Sequence, residues 1–292
     1  MFGSSRPSEA TRVSGDTEWF PRHGNGQHEL SLTDRLMGWC PVVSPDSSTR
    51  FEKTTELTAD SLTLIEGLPG LGLVASIAVD QITEQLGLEQ HGSIVSDDFP
   101  SVAAFEEGRV RDAVRVYAGE DPAVMTLQSD VPIPPTAVES LSRCVLSDVA
   151  DEFERAVFLA GAPAESEEEI GEVTGVATTD QLEASLTDAG ITLADGSGVV
   201  GGVTGALLND CYRNDVPAAV LLVRSNPYIP DPGAARAVIE DALEPLVDFD
   251  IDTQELLEQA EEIQQQKQQI AEQLQQYQQQ QEPDPRTAGM YQ

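Results

Sequence analysis

The stretch LIEGLPGLGLVAS, residues 64–76, decides the fold. An apolar run, Leu62 to Glu66, reads as a strand. A turn punctuated by glycine follows, and Leu71 to Leu86 then repeats apolar residues at helical spacing. Strand, glycine turn and helix together are the opening unit of an α/β domain. Gly70, Gly72 and Ala75 also satisfy G-x-G-x-x-G/A, in which small residues let a pyrophosphate approach a helix N-terminus. The turn therefore has two readings: a dinucleotide cradle, or a tight connection that packs helix on sheet.

Downstream, strands and helices alternate. Ser93 to Ser96 reads as a short strand, and Val110 to Tyr117 and Ala123 to Gln128 as neighbouring strands. After the proline-rich break at Val131 to Pro135, a helix is predicted from Thr136, as N-cap, to about Phe153. Ala156 to Ala160 is a buried strand, and Thr179 to Ala189 an amphipathic helix capped by Thr178 or Thr179 and stopped at Gly190. Ile191 to Ala194 is a weak strand. Gly198 to Thr204 is a second glycine-rich turn that opens a helix through Leu207, Leu208 and Tyr212. Ala218 to Val223 is apolar throughout, and the helix from Pro232 to about Val247 carries proline in its first turn, where the missing N–H costs nothing. Apolar strands separated by helices imply an α/β fold with a mainly parallel sheet covered on both faces.

A nicotinamide site needs an acidic residue about twenty positions past the glycines, at the end of the next strand. Asp97 and Asp98 stand there. Yet Gly196, Gly198 and Gly201 match G-x-G-x-x-G as well, behind a much weaker strand, and a chain with 23 glycines meets this pattern cheaply. The favoured reading of both turns is conformational, with no ligand. No catalytic set completes the other reading. His91 is the only histidine of the body and is expected on a surface loop, no G-x-S-x-G elbow occurs, and no lysine follows a glycine loop.

Fifty-one acidic residues against 16 basic ones give a net charge of −35, and Lys53 and Lys267 are the only lysines. Counterion release needs a basic footprint that this chain lacks, so nucleic acid and anionic membranes are excluded as general partners. The run Glu165, Glu167, Glu168 and Glu169 reads as a solvated face. So many uncompensated carboxylates repel one another unless salt screens them, which predicts a halophile protein. Cys40, Cys144 and Cys211 are scattered without a C-x-x-C pair, signalling neither disulfides nor zinc but reduced thiols. No charged-then-apolar leader opens the chain, and its longest mainly apolar run, Leu68 to Val79, is too short to span a bilayer. A cytoplasmic protein is expected, with no cofactor and no metal.

Residues 1–50 are nearly charge-balanced and rich in Ser, Gly, Pro and Arg, and they hold Trp19, Trp39, His23 and His28. They read either as a disordered tail or as the product of a start codon assigned too far upstream. Residues 51–250 form the α/β domain. Residues 251–282 are a glutamine-rich helix in which Leu256, Ala260, Ile263, Lys267, Ile270, Leu274 and Tyr277 recur as a heptad seam, weakened by its lysine. Residues 283–292, opened by Pro283 and Pro285, form a flexible tail.

Four of these segments together carry a family resemblance. GLPGLGLVASIAVDQI at 67–82, GVVGGVTGALL at 198–208, PDPGAARAVIEDALEPL at 230–246 and ELLEQAEEIQ at 255–264 resemble the PAC2 family, the proteasome assembly chaperones and their archaeal homologues. The resemblance implies a nucleoside-phosphorylase-like α/β sheet without that enzyme's established activity, structural glycine turns and a homo-oligomer.

The last residues are Met290, Tyr291 and Gln292. A hydrophobic residue, tyrosine and any residue resemble the docking tail of proteasome activators, which enters pockets between α-ring subunits of the 20S proteasome. The chemistry suits the role: a terminal carboxylate to pair with lysine, a phenol to bury and hydrogen-bond, and an adaptable thioether. One tail would bind weakly, whereas several from one oligomer gain from effective concentration. The expected function is a non-enzymatic proteasome-binding chaperone, activator or adaptor. The alternatives are an enzyme or sensor binding a nucleotide or nucleoside at the turns at 67–72 or 196–202, and a coiled-coil scaffold with another partner.

Overall fold

The computed structural model describes residues 49–58 and 61–281, all within one unit, Asp46–Gln292. The expectations for the N-terminal tail and for residues 283–292, including Met290, Tyr291 and Gln292, lie outside the described residues.

In chain order the elements are β1 (Arg50–Lys53), β2 (Leu62–Gly67), α1 (Val74–Gln85), β3 (Glu89–Val95), β4 (Ala104–Glu106), β5 (Arg109–Arg111), β6 (Val114–Glu120) and β7 (Ala123–Ser129). They continue with α2 (Val138–Cys144), β8 (Phe153–Pro163), β9 (Val173–Ala177), α3 (Asp180–Asp188), β10 (Thr192–Leu193), α4 (Gly202–Arg213) and β11 (Ala218–Ser225). Last come α5 (Pro232–Val238), α6 (Glu244–Val247) and α7 (Gln254–Gln281).

Nine strands make one sheet in the order β1-β3-β6-β7-β2-β8-β11-β9-β10, and β4 and β5 form a separate two-stranded hairpin. The centre is parallel: β2 pairs with β7 and β8, and β8 with β11. Towards one edge β7, β6, β3 and β1 pair antiparallel. On the other side β9 runs antiparallel to β11 and carries β10 in parallel. The sheet is therefore mixed. Its parallel centre is built from the strongly apolar strands seen in the sequence, and of the antiparallel pairs only β6 and β7 are joined by a tight turn, at Asp121 and Pro122.

Alternation along each central strand builds two cores. Ile65, Val157, Leu159, Leu221 and Val223 face α1, α3 and α5, where Val79, Ile82, Leu186 and Val238 meet them. Leu62, Leu64, Phe158 and Val220 face the opposite way, onto Leu141 of α2 and Leu207 of α4. Burial of both faces explains the continuous apolar runs.

Several local expectations shift. Val110 to Tyr117 is two strands, one in the hairpin and one in the sheet. The predicted helix from Thr136 starts at Val138, with Ala137 rather than Thr136 at the cap position and no side-chain cap bond. It then widens into a π-type segment, Val145–Val149, and tightens to a 3-10 turn before Phe153 enters β8. The cap of α3 is Thr179, whose Oγ1 accepts from Leu182 N at 3.3 Å.

His91 is not a surface loop residue. It is fully buried in β3, its Nε2 is 2.5 Å from Glu152 Oε2, and its ring lies against Phe51. Glu152 also takes Lys53 Nζ at 2.8 Å. This polar cluster fixes the edge strand β1 to the body.

Candidate functional site

The carboxyl ends of the parallel strands are where ligands bind in open α/β sheets. Both glycine turns meet there, joined by one side chain. Glu66 is fully buried near the end of β2; its Oε1 accepts from Leu68 N at 3.1 Å, and its Oε2 lies 3.3 Å from Thr204 Oγ1 in the first turn of α4. Among the described residues no cation pairs with it, and burial pushes its carboxyl up to about 8. Its sequence signal was available: a single acid inside an apolar strand.

The first turn is filled by the chain itself. Gly72 adopts φ 65°, and Leu73 follows it into the left-handed region, so α1 begins only at Val74. Asp231 N donates to the Gly72 carbonyl at 2.9 Å, and a Cβ on Gly72 would stand 2.9 Å from Ser225 Oγ. The Leu71 carbonyl presses so closely on β8 that a Cβ at Gly161 would clash with it. Backbone thus occupies the crevice that a pyrophosphate would need. Ala75 is buried against the core, whereas Gly70 is exposed and a Cβ there would meet only the Leu68 carbonyl, at 3.9 Å.

Asp97 and Asp98 are not brought to this turn. They follow β3, which β6 and β7 separate from β2, and Asp98 instead accepts from Ser140 Oγ at 3.3 Å. Strand order, which spacing cannot reveal, removes them from a ribose-binding role.

The second turn is open. A Cβ on Gly196, Gly198 or Gly201 would meet no described neighbour within 4 Å. Gly196 and Gly198 lie around a cleft of about 810 Å³ whose floor is Val176 of β9 and Leu222 of β11 and whose wall is Leu208 and Tyr212 of α4. None of the polar side chains lining it is fully buried, so it lacks the desolvated polar groups that orient a small ligand. At the start of α4, the Thr204 hydroxyl is already taken by the Glu66 carboxyl.

Cys144 and Cys211 are free and buried, and burial pushes both thiols up to about 12, in keeping with inert reduced thiols. Among the described residues, no group of His, Cys, Asp and Glu is placed to hold a metal, and no helix is long and apolar enough to cross a membrane.

A mixed open sheet with helices on both faces, and a glycine turn closed on the ends of its own strands, define an α/β domain with a long C-terminal helix. Residues 64–271 match the PAC2 family, and the chain belongs to it. An uncharacterized protein of Methanocaldococcus jannaschii is 30% identical over 218 residues, 74% of this chain and 88% of the relative. Two crystal structures from Pyrococcus furiosus share the fold. PbaA, an archaeal homolog of proteasome-assembly chaperone, superposes with TM-score 0.69 at 24% identity, over 82% of this chain and 100% of that one. PbaB, an archaeal proteasome activator, superposes with TM-score 0.69 at 20% identity, over 77% and 100%.

Proposed function

We propose that this chain is a proteasome-binding protein that acts without catalysis, as a homo-oligomer of a salt-rich cytoplasm. Met290, Tyr291 and Gln292 dock into pockets of the 20S α-ring, either to guide ring assembly or to activate the finished particle. One observation carries this: a terminus of hydrophobic residue, tyrosine and glutamine follows a long helix on a PAC2 domain. Similarity to PbaA and PbaB supports it. The closed first turn favours a structural role for GLPGLG, and no cofactor enters the mechanism.

The test is capture of assembled and free α-subunits at molar salt, comparing the full chain with one ending at Gly289. Capture lost with the last three residues supports docking, and the form captured distinguishes activator from chaperone. Equal capture by both, or none, would favour the second reading, a nucleoside held in the open cleft beside Gly198. That reading predicts ligand-dependent melting.

A further inference from the structure

Two uncovered apolar surfaces of the domain are a knob and a hollow. The knob is the β4–β5 hairpin, where Phe105 stands directly opposite Val110 in the register. Both therefore project from the same face. They are 74% and 77% exposed, and Val102 beside them is 57% exposed. The hollow is the cleft over β9 and β11, which α2 and α4 leave uncovered. Val199 on its rim is 97% exposed and Tyr212 on its wall 65%.

The charges match as well. Among the described residues, Arg109 on the knob makes no ion pair in its own chain and Glu107 stands beside it at the tip, whereas Glu106 is already paired with Arg111. The cleft offers Asp195 and Arg224, and the Arg224 Nη1 donates only to the Pro163 carbonyl, at 2.9 Å.

A hairpin cannot reach its own cleft. It branches from the connection between β3 and β6, and from β6 to β9 the sheet order counts five strand steps, about 24 Å at ordinary strand spacing. We infer that the β4–β5 hairpin of one copy seats in the β9–β11 cleft of the next, with Arg109 facing Asp195 and Glu107 facing Arg224. Such a contact joins two different surfaces, so it propagates head to tail and closes into a ring when the rotation permits. The inference rests on the homo-oligomer of the proposed function and specifies its interface; each copy would then carry one α7 around the ring.

The test uses full-length chain at molar salt with Cys40→Ser, leaving only the two buried thiols, plus Phe105→Cys or Val199→Cys, and a short bismaleimide. Mixing the two single-cysteine proteins should give one cross-linked pair and no larger species. Placing both cysteines in one chain should give a ladder. A Phe105→Glu protein should lose its oligomeric mass in light scattering while keeping its far-UV circular dichroism. The inference is overturned if either single variant cross-links with itself as well as with the other. It also fails if the oligomer persists without cross-links or through Phe105→Glu, or if the unaltered chain is a monomer. Cross-linking does not involve Met290 to Gln292, so failed proteasome capture with intact cross-links condemns the docking tail alone.

Discussion

Oε2 of Glu66 and Oγ1 of Thr204 lie 3.3 Å apart, tying the end of a central strand to the start of a helix 138 residues later in the chain. Through this contact the two glycine turns become parts of one structure. The carboxyl at its centre is fully buried and, among the described residues, without a cation.

That burial makes stability depend on pH. Glu66 titrates near 4.5 when unfolded and about 8 when folded, so the native state holds the extra proton between those values. Its contribution is complete below about pH 4.5 and is lost as pH rises towards 8, with a slope of up to about 1.4 kcal/mol per pH unit. A Glu66→Gln protein should lack this slope. Denaturant unfolding of both proteins from pH 5 to 9 at constant salt measures it, and parallel curves would mean that the carboxyl is ionised in the fold.

The two glycine turns should respond oppositely to a methyl group. Gly161→Ala drives a Cβ into the Leu71 backbone and should cost about 1–3 kcal/mol, as overpacking does. Gly198→Ala meets nothing within 4 Å and should stay within about 0.5 kcal/mol of the parent. Unfolding midpoints of the two variants decide the matter.

Arg115 is the buried ion pair to test. Its Nη1 reaches Asp130 Oδ2 at 2.5 Å and the Asp112 carbonyl at 2.6 Å, and its Nε reaches Tyr117 Oη at 2.9 Å. Partial burial works to raise the Asp130 carboxyl, but Arg115 and Arg111 outweigh it and hold the group below its ordinary range. Arg115→Met should cost about 1–3 kcal/mol by leaving the Asp112 carbonyl and Asp130 Oδ2 without their donor, while Arg111 still holds Asp130 Oδ1. The loss should persist as salt rises through the molar range, because a buried pair is poorly screened. Arg143→Met, which removes an exposed pair with Glu139, should cost almost nothing.

Leu256 tests where the body ends. It is 2% exposed and packs in the same core as α1 and α5 although it belongs to α7. Leu256→Ala should therefore cost about 2–4 kcal/mol in the unfolding of the whole domain, whereas a residue of a free coiled-coil seam would leave the domain midpoint unchanged.

The sequence exposed those parts of the fold that local chemistry specifies. Strands β8 and β11 announced themselves by unbroken apolar runs, β2 by its leucines and isoleucine before a glycine turn, α3 by the Thr179 cap and the Gly190 stop, and α5 by Pro232. Strand β9, VTGVA, gave no signal, because it is short, half-buried and defined by its pairing with β11 rather than by its own pattern. His91 misled because its burial depends on Glu152, 61 residues away. At the candidate site the glycines and their conformational role were legible, and the atoms they make room for were not. Only the approach of Leu71 to Gly161 and of Gly72 to Ser225 shows what the small residues admit. Likewise the seam of α7 was visible as a repeat, but its first member belongs to the core of its own chain.

The rooting of α7 has a mechanical side. With Leu256 keyed into the core and Gln81 Nε2 donating to the Asp252 carbonyl at 3.1 Å, the base of the helix cannot pivot freely. Its 28 residues run for about 42 Å at the ordinary helical rise. A rigid shaft of that length clamped at one end is a lever: a tilt of about 5° in the domain displaces its tip by about 4 Å. Small rotations of the body thus become movements as large as a side chain at the far end.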